Sequence, residues 1–365
     1  MASLAKLRFF FSLFFYVLPI AGFRILGAIV RAWMKKLPLG PSIWNAFAGT
    51  LMANTPPKQL QAILPSTLDV YNAWTLSQGN KSKVDVLAAD GSTRLLWIGP
   101  EKGNKVILFL HVGGYVMPLS RGHLDWMEHV RNEAYTSRIE LSVCFLAYDL
   151  IPANPYPRQM VQAIFALRHL LSMGYKPSEI IIGGDSAGGH LSLSLIAHLH
   201  RHRTFRETTN SAIDLDGRIR GCFLVSPLSS FNFDTPSYKR WLSSDVLSRK
   251  VVGEWGDHLV RNSPWYEEIS VGKGWGMALD VPESWWENID VVDRVFVTGG
   301  YEEVFCDHVQ QLAKMLRRNV AKGDVELYMA NEAHDGPFMD FAAGRPPSET
   351  TRTITQFVIT SFKDE

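Results

Sequence analysis

The chain has 365 residues, 46% hydrophobic and 20% charged, which fits one large α/β core with a cap, or two domains. Its 37 Lys and Arg against 36 Asp and Glu leave a net charge of +1, too little to recruit nucleic acid or acidic partners by a strong field. The 3 cysteines, Cys144, Cys222 and Cys306, form no CxxC pair, and their odd number argues against a disulfide framework.

The first expected element is apolar. Phe9 to Phe23 carries no charge, Arg24 interrupts the run, and Ile25 to Val30 resumes it. A spanning helix needs about 20 apolar residues, a length reached here only if Arg24 snorkels to the interface. Residues 1–37 are therefore expected to anchor the protein to a membrane, either spanning it or lying in its interface. A cleaved signal peptide is the weaker reading, because Ile20-Ala21-Gly22 is a poor cleavage site. The third reading is an amphipathic helix packed on the body. Basic residues on both flanks (Lys6 and Arg8 before; Arg31, Lys35 and Lys36 after) leave the orientation open. The expected location is a membrane, with the endoplasmic reticulum as the candidate.

Residues 38–104 read as a linker and an entry hairpin. Pro38 to Pro57 is rich in Pro and small residues, and Asp90-Gly91 between two short β-prone runs marks a turn. From 105 to 365 strand and helix signals alternate. Apolar runs at Lys105 to Leu110, Ser142 to Tyr148, Glu179 to Ile182, Cys222 to Val225, Asp293 to Val297 and Val325 to Met329 predict buried strands. Helical spacing covers Met160 to Leu171, Ser186 to about His198, and Val304 to about Arg318. Such alternation predicts a mostly parallel sheet with helices on both faces. Residues 229–287 break the rhythm with Trp241, Trp255, Trp265, Trp275, Trp285 and Trp286, and read as an inserted cap.

Within this frame Gly184-Asp185-Ser186-Ala187-Gly188 follows the Ile180-Ile181-Ile182 run and opens a helix. A G-x-S-x-G elbow lifts a serine out of the sheet on a strained turn, and side chains at the glycine positions would collide with neighbouring backbone. Ser186 is the predicted nucleophile. Asp185 is expected to order the elbow. His111-Val112-Gly113-Gly114-Tyr115 follows the KVILFL strand. Acyl transfer builds an oxyanion that preorganised N–H groups must meet. Gly113, Gly114 and Ala187 are the predicted donors, with His111 bracing the loop.

The fold's chain order asks for an acid and then a histidine downstream. His334, just past the last predicted strand, is the predicted base. His258 falls in the cap and His308 in a helix. His198, His200 and His202 alternate at a helix end and read as a solvated basic terminus, not a metal cluster. The acid should follow the Asp293 to Val297 strand; Glu303 is favoured, with Glu302 and Asp307 as runners-up.

HVGGY, the YDLIPANPYPRQ stretch from Tyr148 to Gln159, and GDSAGGHL together resemble the hormone-sensitive-lipase-type carboxylesterases. Tyr156-Pro157-Arg158-Gln159 and Glu303-x-x-x-Asp307 resemble most the fungal steryl acetyl hydrolase-like branch. The resemblance covers roughly Lys105 to Pro337. It implies an α/β-hydrolase fold with a helical cap, and hydrolysis of a lipophilic carboxylic ester through Ser186, Glu303 and His334, with no cofactor. It also implies an N-terminal membrane anchor. Two positions depart from the family's pattern: Val112 stands where the usual HGGG loop has its first glycine, and Glu303 stands where an Asp is usual. Two rival functions remain open. One is a hydrolase-like enzyme of fungal secondary metabolism acting on a thioester or lactone, or cyclising its substrate. The other is a non-catalytic ligand-binding protein.

Overall fold

A computed structural model describes residues 13–363 apart from 88, 101–102, 202–212, 241–242, 271–276 and 322. Lys6, Arg8, the run from Phe9 to Ser12, His202, Trp241 and Trp275 lie outside the described residues.

Eight strands build one sheet in the order β1-β2-β4-β3-β5-β6-β7-β8. They are β1 (Val84–Val86), β2 (Arg94–Ile98), β3 (Lys105–Leu110), β4 (Leu141–Ala147), β5 (Ile180–Asp185), β6 (Gly221–Val225), β7 (Arg294–Gly300) and β8 (Asp324–Ala330). β1 and β2 form the antiparallel hairpin around Asp90-Gly91, where Gly91 takes φ +66° and Asp90 Oδ1 accepts from the N–H groups of Ser92 and Thr93. β2 runs antiparallel to β4; the other neighbours are parallel.

The central strands are apolar throughout because both faces are covered. Along β3, Val106, Leu108 and Leu110 pack toward Ala163, Leu167 and Leu191, while Ile107 and Phe109 pack toward Trp126, Met127 and Phe357. This two-residue alternation sends successive side chains to opposite layers. Each buried Leu, Ile or Phe stabilises the core by about 1.5–3 kcal/mol. The parallel strands also bring their C-terminal ends to one edge, the usual place for a site in an α/β sheet. Residues 111–115 follow β3, Ser186 follows β5, Glu303 follows β7 and His334 follows β8.

Above that edge sits a two-part cover. One part is the insertion after β6, with helices at Pro236–Lys239, Arg249–Val260 and Tyr266–Ser270. The other comes from the N-terminal region and differs from expectation. Leu39–Asn54 is a regular helix, not an irregular linker, and helices Pro57–Ile63 and Thr67–Ser77 follow it. The prolines misled: Pro38 is the N-cap and Pro41 lies in the first turn, where an amide has no intrahelical acceptor to lose. Helix Leu18–Lys35 precedes it, entered through a π-turn at Leu13–Val17. Arg24 does not snorkel outward. Its guanidinium turns into the body and donates to the Asp245 carbonyl at 2.6 Å.

Candidate active site

Ser186 stands between β5 and helix Ala187–His200 with φ 51° and ψ −111°, a conformation a non-glycine residue holds only when its surroundings impose it. The surroundings here are backbone. Ser186 N donates to the Val225 carbonyl at 2.8 Å, and Leu228 N donates to the Ser186 carbonyl at 3.0 Å. A Cβ on Gly188 would lie 1.8 Å from the Leu110 carbonyl oxygen, so only glycine lets β3 and the elbow helix approach this closely.

His334 Nε2 lies 2.9 Å from Ser186 Oγ, and His334 Nδ1 lies 3.0 Å from Glu303 Oε2. All three side chains are buried. The carboxylates left open by the sequence separate cleanly. Glu303 faces the imidazole. Glu302 turns the other way and pairs with Arg31 of the N-terminal helix. Asp307 accepts from the Ser237 N–H at 2.6 Å. Asp245 Oδ2 accepts from the Val304 N–H at 2.8 Å and so secures the loop that carries Glu303 from the side of the insertion.

Asp335 was not foreseen. Its Oδ2 lies 3.0 Å from the same His334 Nε2 that faces Ser186, and its backbone is left-handed at φ 53°. Burial pushes its carboxyl up to about 7, against the pull of His334. Burial alone would lower the His334 pKa, but Asp335 and Glu303 outweigh it and hold it well above the ordinary histidine value. The imidazolium that forms when a base takes a proton is therefore well supported.

The loop after β3 approaches from the opposite side. Gly113 has φ +128° and Gly114 φ +57°; a Cβ on Gly114 would meet the Trp255 ring at 2.2 Å. His111 is buried. Burial, then His123, push its pKa down to about 3, so it stays neutral, with Nδ1 2.7 Å from the Val112 carbonyl. The Tyr148 hydroxyl donates to the His111 carbonyl at 2.8 Å, and the two rings stack at 4.3 Å. Ile151 N donates to the Tyr115 carbonyl at 2.9 Å. Arg158, from the same YDLIPANPYPRQ stretch, donates Nε–H to Asp149 at 2.7 Å. The stretch thus braces the glycine loop. Ala187 opens the elbow helix, where unpaired N–H groups gather. Asp185 lies 3.2 Å from His123 Nε2, whose ring stacks on Phe338 at 4.1 Å. That contact ties the elbow to helix Arg121–Thr136 and was not foreseen.

The other histidines fall elsewhere. His308 is buried against Tyr238. His198 is buried too, contrary to the expected solvated terminus, because helix Ala187–His200 is covered almost to its end. His200 Nε2 lies 3.0 Å from the Glu287 carbonyl.

Ser186 and His334 open on a cavity of about 290 Å³ with Gly113 and Gly114 in its wall. Val246, Val251, Val252 and Trp255 roof it from the cap, while Trp44 and Met52 close it from helix Leu39–Asn54. Trp255 is the only predicted cap tryptophan in this lining among the described residues. Trp286 is instead buried, donating to the Ala278 carbonyl, and Trp265 and Trp285 pack against the core.

A protein-family profile described as alpha/beta hydrolase fold matches residues 107–336, well over half of the chain. The chain is 25% identical over 227 residues to neutral cholesterol ester hydrolase 1 of Bos taurus, an alignment covering 58% of this chain and 51% of that protein. It is 26% identical over 133 residues to human hormone-sensitive lipase, covering 34% of this chain and 12% of the lipase. The chain thus spans about half the length, or less, of these curated relatives. A solved esterase from the bacterial hormone-sensitive lipase family superposes with a TM-score of 0.60 at 21% identity, covering 89% of this chain and 98% of that one.

Proposed function

The chain belongs to the alpha/beta hydrolase fold family, and from that premise we propose that it is a serine hydrolase of the hormone-sensitive-lipase type that cleaves a carboxylic ester of a lipophilic small molecule. Ser186 is the nucleophile, His334 the general base and Glu303 the acid; the N–H groups of Gly113, Gly114 and Ala187 form the oxyanion hole. The observation that carries this reading is the relay of 2.9 Å from Ser186 Oγ to His334 Nε2 and 3.0 Å from His334 Nδ1 to Glu303.

The chemistry runs in two balanced halves. His334 takes the hydroxyl proton as Ser186 Oγ bonds to the ester carbonyl carbon. The oxyanion collapses, the C–O bond to the alcohol breaks, and the imidazolium returns its proton to the leaving alkoxide. Water then attacks the acyl-enzyme by the same route and releases the acid and Ser186. Glu303 holds the imidazole in the useful tautomer and stabilises its charged form.

The cavity supports a choice of substrate. At about 290 Å³ it is at the small end of ligand pockets. That size suits a short acyl group with an apolar alcohol extending toward the opening, as in a deacetylase acting on an acetylated sterol or terpenoid. This is the activity of the steryl acetyl hydrolase-like branch, and the N-terminal helix suits a membrane-borne substrate.

The test is turnover of a series of p-nitrophenyl esters by the full chain and by Ser186→Ala. The wild type should prefer acetate over long acyl chains, and the variant should lose about 10⁴-fold or more in kcat. A folded variant with unchanged turnover would remove Ser186 from the reaction.

A further inference from the structure

A helix between protein and water turns its apolar stripe inward and its charges outward. The N-terminal helix does the reverse. Over the 23 residues from Leu13 to Lys35, Val17, Ala21, Ala28 and Ala32 are buried, and Arg24, Arg31 and Lys35 share their side. These are the only charged residues in the stretch. Arg24 donates to the Asp245 carbonyl at 2.6 Å in a space that Gly49 leaves open, since a Cβ there would lie 2.9 Å from the guanidinium. Arg31 Nε donates to Glu302 at 2.8 Å, and Lys35 Nζ lies 3.8 Å from the same carboxylate. Asn331 donates to the Lys35 carbonyl at 3.0 Å.

What faces outward is apolar. Phe14, Phe15, Phe23, Leu26, Val30 and Trp33 are each more than half exposed, Trp33 by 83%. A contiguous apolar face of this kind on a folded protein marks a binding surface. Two observations say what covers it. The helix that packs beside it, Leu39–Asn54, carries Trp44, which is 57% exposed and also lines the catalytic cavity. A protein seated there would close the opening, whereas a lipid leaflet would supply it. The strip also ends beside exposed Lys36 and beside Lys35, whose side chain stays half exposed next to Glu302, which matches anionic headgroups. A crossing helix needs roughly 20 residues clear of the body. This one is held to the body at levels from Val17 to Lys35, so among the described residues it has no such free length.

We propose that the outward face of the Leu13–Lys35 helix seats the protein flat on a lipid leaflet, in the interface plane and not across it, and that the ester enters the cavity from that leaflet past Trp44. The seat stands alone; the entry route rests on the ester-hydrolase reading.

The experiment uses the purified full chain and phosphatidylcholine vesicles with and without phosphatidylserine. The triple variant F23D/L26D/W33D changes outward side chains outside the catalytic machinery. Wild type should co-sediment, more strongly with phosphatidylserine, and the variant should bind about tenfold or more weakly. The variant should keep its rate on a water-soluble p-nitrophenyl ester within about twofold, but lose about tenfold on an ester dispersed in the vesicles. For depth, Leu26→Cys carries an environment-sensitive fluorophore; Cys144, Cys222 and Cys306 are buried and do not compete. Quenchers near the headgroups should outperform quenchers at the acyl chain ends.

Stronger quenching from the bilayer centre would mean a crossing helix and overturn the proposal. So would undiminished vesicle binding by the variant. So would a wild-type dimer in solution that the variant dissolves, because the occupant would then be a second copy. Absence of all ester turnover would overturn the entry route with the site's reading, while binding and depth still decide the seat.

Discussion

The two halves of the proposed active site are held in different ways. The nucleophile half is held by backbone: Ser186 lies between two main-chain hydrogen bonds, and the elbow helix meets β3 at a glycine that admits no side chain. The acid and base half is held by buried charge. Glu303 and Asp335 both face His334, Asp245 secures the acid loop from the cap, and Arg31 of the N-terminal helix holds the residue before Glu303. Backbone geometry sets position without depending on pH. A cluster of buried carboxylates sets position and also the protonation state of the base, so perturbations should divide along the same line.

The largest effect expected from the charged half is at Glu303. Glu303→Gln keeps the shape but favours the wrong imidazole tautomer, and kcat on a p-nitrophenyl ester should fall by about 10⁴-fold with little change in KM. A loss of less than tenfold would remove Glu303 from the acid's role.

Asp335→Asn should act mainly on the pH profile. A base works only when neutral, so activity is lost as pH falls through the His334 pKa. Asp335 raises that pKa. Removing its charge should therefore move the acid limb of kcat/KM downward by about 1–3 pH units. An unmoved limb would mean that Asp335 does not feel the imidazole in solution.

The smallest effect is at Arg31. Arg31→Met leaves Glu302, 3% exposed, with Lys35 as its remaining cation among the described residues, and should cost about 2 kcal/mol of stability and a few-fold in kcat. Equal thermal midpoints for variant and wild type would show that the N-terminal helix does not support the acid loop.

What could be read in advance follows the same division. The strands, the Asp90-Gly91 hairpin and the elbow were legible because their determinants are local: apolar runs, a turn dipeptide, glycines at fixed offsets. Glu303 could be favoured over Glu302 and Asp307 but not separated from them, because which carboxylate turns toward His334 is set by Arg31 and Ser237, far away in the chain. The inward turn of Arg24 was hidden for the same reason; its partner Asp245 lies 221 residues on. The helix Leu39–Asn54 was hidden by Pro38 and Pro41, which read as breakers but occupy its N-cap and its tolerant first turn. The burial of Asp335 had no local signature, since a charged residue in a loop is ordinarily solvated.

The most direct measurement is covalent labelling of the full chain with a fluorophosphonate, followed by peptide mapping. Attack on phosphorus needs the activated serine, the base and the oxyanion donors together. The account predicts one label per chain, on the peptide containing Ser186, abolished by Ser186→Ala and strongly slowed by His334→Ala. A folded chain that stays unlabelled, or carries its label on another residue, would contradict it.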